Sequence, residues 1–291
     1  MFDRRIALIC VACVVFPSIA SATSILYNND FALNLMASAS TPSGNGFIEH
    51  ESADDFILTS PSLITSATFT GLVPAGAIIQ QLVVEIYRVF PADSDVGRTS
   101  GPPTFSTPKV PTRMNSPSDV EFVGRDSAAG QLTFSTMLLV PNFMALNSVV
   151  NGINPKPNQA TLGEGPKTGQ EIQFSVTFTS PFLLPADHYF FVPQVLLRNA
   201  TVPFLWLSGP RPPTVTPFAP DLQSWIRDAN LDPDWLRIGT DIIDGTTPPT
   251  FNAAFSISGE PAAAVPEPAS LVLLGTGLIG AGVRRYRRRR Q

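Results

Sequence analysis

Cysteine is almost absent from this sequence. Cys10 and Cys13 are the only two in 291 residues, and both fall in an apolar stretch near the start. Everything downstream is free of cysteine, so it can hold neither a disulfide nor a thiolate metal site. The C-x-x-C spacing carries no redox reading inside a run of Ile, Val, Ala and Phe destined for removal. Neither cysteine follows the Leu, small, small pattern of a lipoprotein signal. Histidine is as scarce, with His50 and His188 alone, and neither a G-x-S-x-G elbow nor an H-E-x-x-H pair occurs. His50 stands between Glu49 and Glu51, either of which could orient its ring, but no nucleophile is identifiable beside it. His188 opens an apolar run, where an edge or loop position accounts for it. No catalytic residue is assigned and no enzyme is expected. An extracytoplasmic carbohydrate-active hydrolase stays open as the alternative, because its two carboxylates can come from distant positions.

Charge is sparse and unevenly spread. Only 14% of residues are charged, and six of the nineteen basic ones are Arg284, Arg285 and the four arginines at 287–290. Between Thr23 and Ala264 there are 11 basic and 21 acidic residues, a net charge of −10. That balance offers no patch suited to a nucleic-acid backbone. An apolar share of 44% supplies a core for one large domain.

Residues 1–22 have the three parts of a secretory signal. Arg4 and Arg5 precede an apolar run over 6–16, and Pro17 and Ser18 lead into Ala20-Ser21-Ala22, whose small residues fit a signal peptidase. Cleavage is expected after Ala22. The eleven-residue run reaches only about 16 Å as a helix, short of a hydrocarbon core of about 30 Å.

At the other end the order is Val265, Pro266, Glu267, Pro268, Ala269, Ser270, then an apolar run from Leu271 to Val283, then Arg284 and Arg285 at the head of a basic cluster. The prolines keep Glu267 extended. The apolar run holds it at the membrane as a short transmembrane helix, and the arginines keep the terminus cytoplasmic. Residues 265–290 resemble the PEP-CTERM sorting domain of exported proteins of Gram-negative bacteria. The resemblance implies an exosortase-type membrane enzyme as partner, inner-membrane anchoring before processing, and a cell-surface or secreted destination. It also implies a setting of exopolysaccharide and biofilm matrix.

Between the ends, two-residue alternation dominates. It is clearest at 171–178, where Ile172, Phe174, Val176 and Phe178 alternate with polar residues, and at 251–257. Further strands are expected at 55–59, 66–72, 82–90, 132–140, 189–197 and 204–207. With 29 prolines and 20 glycines mostly between them, these predict an all-β ectodomain over 28–259, a β-sandwich of jelly-roll type, with 260–264 as linker. Long connections are expected at 91–130 and 141–169. Leu222, Trp225, Ile226 and Ala229 recur at helical spacing, which predicts a short helix near 221–230 ended by Pro233.

Asp228, Asn230, Asp232 and Asp234 alternate as the oxygen ligands of a calcium loop do. Pro233 and Gly239 break the EF-hand pattern, and helix capping with solubility is the competing account. Asp54 with Asp55, and Asp93 with Asp95, are weaker versions that turn-located surface acids explain. No other cofactor is implied. Trp206, Trp225, Trp235 and Tyr87 could stack on sugar rings if exposed, whereas burial would make them core. The expected function is a surface-directed structural or adhesive protein associated with extracellular polysaccharide. The calcium-stabilised binding module is a further alternative.

Overall fold

The computed structural model describes residues 23–92, 114–151, 153, 160–211, 223–231, 234–244 and 250–262. The signal segment 1–22, Asp93, Asp95 and everything from 263 onward, including the expected transmembrane helix, lie outside them. Among the described residues no helix is long and apolar enough to cross a membrane.

The regular structure of the described chain is nearly all strand. In order the strands are β1 (Ser24–Asn29), β2 (Ala37–Ala39), β3 (His50–Leu58), β4 (Ser62–Val73), β5 (Ile78–Arg88), β6 (Val123–Asp126), β7 (Leu132–Ala145), β8 (Ser148–Val149), β9 (Lys167–Leu184), β10 (Asp187–Arg198), β11 (Leu205–Gly209), β12 (Trp225–Asp228), β13 (Leu236–Arg237), β14 (Asn252–Ala253) and β15 (Phe255–Pro261). Seven of the stretches read from alternation fall on single strands, and 251–257 divides into β14 and the start of β15. Pairing begins before residue 28, with Ser24 opposite Gly259, and continues to Pro261 opposite Ser62.

Two sheets result. The first runs β1-β15-β4-β11-β2-β8, with β9 also on β4, β7 on β9 and β14 on β11; the second runs β13-β12-β3-β10-β5-β6. Their facing sides share one apolar core. Even-numbered Phe56 and Leu58 of β3 and Leu82, Val84 and Ile86 of β5 point into it, as do odd-numbered Tyr189, Phe191, Val195 and Leu197 of β10. They meet Phe69, Phe174, Phe178, Trp206 and Phe255 of the first sheet. Phe191 stacks on Phe255 across the gap at 5.1 Å between centroids, a contact that joins one sheet to the other. Asp54 makes a polar tie at the same interface: its Oδ2 accepts from the Ala253 amide at 2.8 Å and its Oδ1 from the Ser224 hydroxyl at 2.8 Å.

Two expectations fail here. The segment near 221–230 is not a helix, because its described part forms β12, antiparallel to β3 with Arg227 opposite Glu51 and Trp225 opposite Ala53. Trp225 and Ile226 go to opposite faces, the first against Tyr87 and Phe190, the second against Leu231 and Ile242. A free edge on β3 pairs the backbone at once, whereas an isolated helix of about two turns is marginal in water. The helical element of this region comes later, as a π-helical turn at Ile238–Ile243. Arg237 and Asp241 clamp its start, Nη2 to Oδ1 at 3.1 Å. The connection expected at 141–169 is shorter than expected: β7 runs through Pro141 to Ala145, which an edge position permits, β8 lies within it and β9 begins at Lys167.

Candidate functional site

The outer face of the second sheet is not the wet face that alternation suggests. On β3 it carries Glu51, Ala53 and Asp55; on β10 His188, Phe190, Val192 and Gln194; on β5 Glu85 and Tyr87. Trp225, from the adjoining strand β12, and Trp235 pack with Ala53, Tyr87, Phe190 and Val192 into a second apolar cluster on this face. Charged groups beside this cluster are buried with it.

Three of them, Arg227, Glu51 and Glu85, form one network with Tyr87. Arg227 Nε donates to Glu51 Oε2, both side chains being buried. Arg227 Nη2 donates to the Tyr87 hydroxyl at 2.9 Å, and the hydroxyl donates to Glu51 Oε1 at 2.9 Å. Glu85 Oε2 stands 2.9 Å from the same hydroxyl and accepts from Gln194 Nε2 at 3.3 Å. The guanidinium carbon lies 4.4 Å from the Trp235 ring centre and 5.3 Å from that of Tyr87. Trp235 is held in turn by its indole N–H donating to the Ser118 carbonyl at 3.2 Å. The arginine is thus sandwiched among aromatic faces and carboxylates, the setting that suits a planar, weakly hydrated cation.

The two glutamates are pushed apart in acidity. Burial alone would raise Glu51, but the charge and hydrogen bond of Arg227 outweigh it and hold the carboxyl below its ordinary range. Glu85 has no such cation. Burial, then the negative charge and hydrogen bond of Glu51, then Glu121, push it up to about 10. At neutral pH Glu85 is therefore a neutral acid near the Glu51 carboxylate. Burial, with Glu51 beside it, raises the Tyr87 phenol well above its usual value.

The network opens on a cleft of about 180 Å³, with Glu49, Glu121 and Ala229 at its rim. That is below the roughly 300–1,000 Å³ of ordinary small-molecule pockets. Glycoside cleavage needs carboxyl groups about 5–9.5 Å apart with the scissile bond between them. Glu51 is instead paired with Arg227, and the Tyr87 hydroxyl lies between Glu51 and Glu85, 2.9 Å from an oxygen of each.

The other candidates disperse. Asp228 caps a turn, its Oδ1 accepting from the amides of Asn230 at 2.9 Å and Leu231 at 3.1 Å. Asn230 is exposed, Asp234 is buried, and Asp232 is outside the described residues. Among the described residues no group of three or more His, Cys, Asp or Glu is placed to hold a metal ion. Asp54 and Asp55 are not surface acids in turns, since both are buried in β3. His188 is not at an edge or in a loop: it sits on a central strand, its Nε2 2.6 Å from Asp55 Oδ2. His50 is oriented by the Ile48 carbonyl at 3.0 Å rather than by Glu49 or Glu51, and its buried Nε2 has no hydrogen-bond partner. Trp206, Trp225, Trp235 and Tyr87 are all buried, so none offers a stacking platform.

Sequence reasoning missed the Glu51–Arg227–Tyr87–Glu85 network. Glu85 and Tyr87 are neighbours on β5, but Glu51 lies 36 residues from Tyr87 and 176 from Arg227, and nothing local in the sequence links them.

Residues 264–289 match the model of the PEP-CTERM protein-sorting motif. No curated protein and no solved structure matches the chain. The chain is an exported, extracytoplasmic protein with a C-terminal sorting signal of the kind processed by exosortase.

Proposed function

We propose that this protein is a non-enzymatic structural or adhesive component of the cell surface, delivered by its sorting signal and associated with extracellular polysaccharide. The observation that carries the reading is the sorting motif at 264–289. The domain supports it in two ways. Its two facing sheets, closed over an aromatic core, read as a β-sandwich ectodomain that needs no disulfide to stand outside the cytoplasm. The cleft beside Glu51 and Glu85 has Glu51 engaged by Arg227 and both carboxyls met by the Tyr87 hydroxyl, an arrangement that rigidifies rather than reacts.

In this reading the run from Leu271 to Val283 anchors the chain in the inner membrane until processing, and Glu267 between its prolines is the recognised group. Two experiments test it in a host with the sorting enzyme. Glu267→Ala is expected to insert normally and accumulate unprocessed in the inner membrane. Identical size and fractionation of variant and native protein would leave only an anchor. Co-sedimentation of the processed protein with matrix polysaccharide from the same host tests the adhesive role, and free protein at all polysaccharide concentrations would remove it.

A further inference from the structure

The first sheet ends on an edge that soluble proteins ordinarily avoid. Among the described residues β7 pairs only with β9, so one side of its fourteen-residue backbone offers unpaired N–H and C=O groups. Along it Met137, Leu138, Leu139 and Met144 are 54%, 50%, 41% and 49% exposed, followed by exposed Leu146. Exposure of successive residues means that both faces of the strand are bare. No charged residue occurs anywhere from 127 to 155. Natural edges are protected by charges, prolines, bulges or short length. Here the charge is missing and the length is large, while Pro141 and the register breaks after Leu138 and Val140 blunt only the second half. The stretch before the first break, from Leu132 to Leu138, stays regular.

We propose that β7 is a self-association edge, pairing antiparallel with β7 of a second copy so that the first sheet continues across a two-fold axis. Three observations select this occupant. The open backbone groups require another strand, because lipid chains could not satisfy them. The chain between Thr23 and Ala264 carries a net charge of −10, so two copies repel over most of their surfaces and meet without penalty along an uncharged stripe. The nearest charged groups on the neighbouring strand, Lys167 opposite Ala145 and Glu171 opposite Val140, belong to the blunted half. The regular stretch brings Met137 and Leu138, 54% and 50% exposed, beside the paired backbones, so the contact adds apolar cover to its hydrogen bonds. A like-with-like edge contact is self-complementary and closes at two copies, giving dimers and not fibres.

The test uses the full chain with Cys10 and Cys13 replaced by serine, purified in detergent. Sedimentation velocity is expected to show a monomer–dimer equilibrium that Met137→Lys with Leu139→Lys shifts at least tenfold toward monomer. Leu183→Lys, an exposed apolar site off β7, is expected to leave the equilibrium unchanged. Single cysteines introduced in turn from Thr133 to Leu139 should cross-link in only one or two neighbouring positions, those nearest the two-fold axis. A monomer at all concentrations overturns the proposal. So does a dimer indifferent to the lysines, which would assign association to another surface, or uniform cross-linking along the strand, which would mean non-specific contact. Binding of a monomeric native chain to phospholipid vesicles, lost in the lysine variant, would replace the second copy with a membrane.

Discussion

Arg227 and Glu51 face each other across β12 and β3, 176 residues apart in sequence, in an ion pair almost wholly withdrawn from water. Removing one partner strands the other as a buried charge. Arg227→Met is expected to cost about 3–5 kcal/mol of folding stability, and combining it with Glu51→Leu should recover much of that loss. Urea denaturation of the three variants checks the non-additivity.

Glu85 makes stability fall as pH rises. Its carboxyl titrates near 10 in the folded chain against an ordinary value of 4.5, so between those values the folded state holds a proton that the unfolded state has lost. Glu85→Gln should therefore stabilise the protein by about 2 kcal/mol at pH 8–9 and by little at pH 4. Glu51 acts in the opposite sense: its lowered value gives stability that is present above about pH 4.5 and lost as pH falls below. Melting temperatures of native protein and Glu85→Gln from pH 4 to 9 should converge at the acid end. Parallel curves would contradict the raised value of Glu85.

Asp54 joins the two sheets through a backbone amide and a hydroxyl. Asp54→Ala leaves the Ala253 N–H without its acceptor in the interior, and a loss of about 2–3 kcal/mol is expected in chemical denaturation.

Gly71 tolerates no side chain. A Cβ there would lie 2.3 Å from the Phe204 ring and 2.6 Å from the Leu205 carbonyl, because β4 meets β11 at this point, with Gly71 opposite Trp206. Gly71→Ala should cost about 1–3 kcal/mol by overpacking. An unchanged thermal midpoint would mean that β11 yields more easily than its aromatic packing suggests.

Export should leave a trace at the N-terminus. The protein recovered from outside the cytoplasm is expected to begin at Thr23, next to β1, and N-terminal sequencing settles whether residues 1–22 have gone.

The strands, the absence of disulfides and the sorting signal were legible in the sequence, because each is written in neighbouring residues: alternation at 171–178, cysteines confined to positions 10 and 13, and Pro266-Glu267-Pro268 ahead of an apolar run and arginines. The fate of 225–228 was not. Helix and strand patterns can coincide over so few residues, and the free edge of β3, contributed from 170 positions away, decided between them. The same long-range pairing gave Glu51 its arginine, and pairing with β10 buried Asp54 and Asp55, which read as surface acids in turns. Local periodicity reports which residues seek a core, but whether a polar face stays wet depends on what the rest of the chain lays over it, and that only the tertiary structure decided.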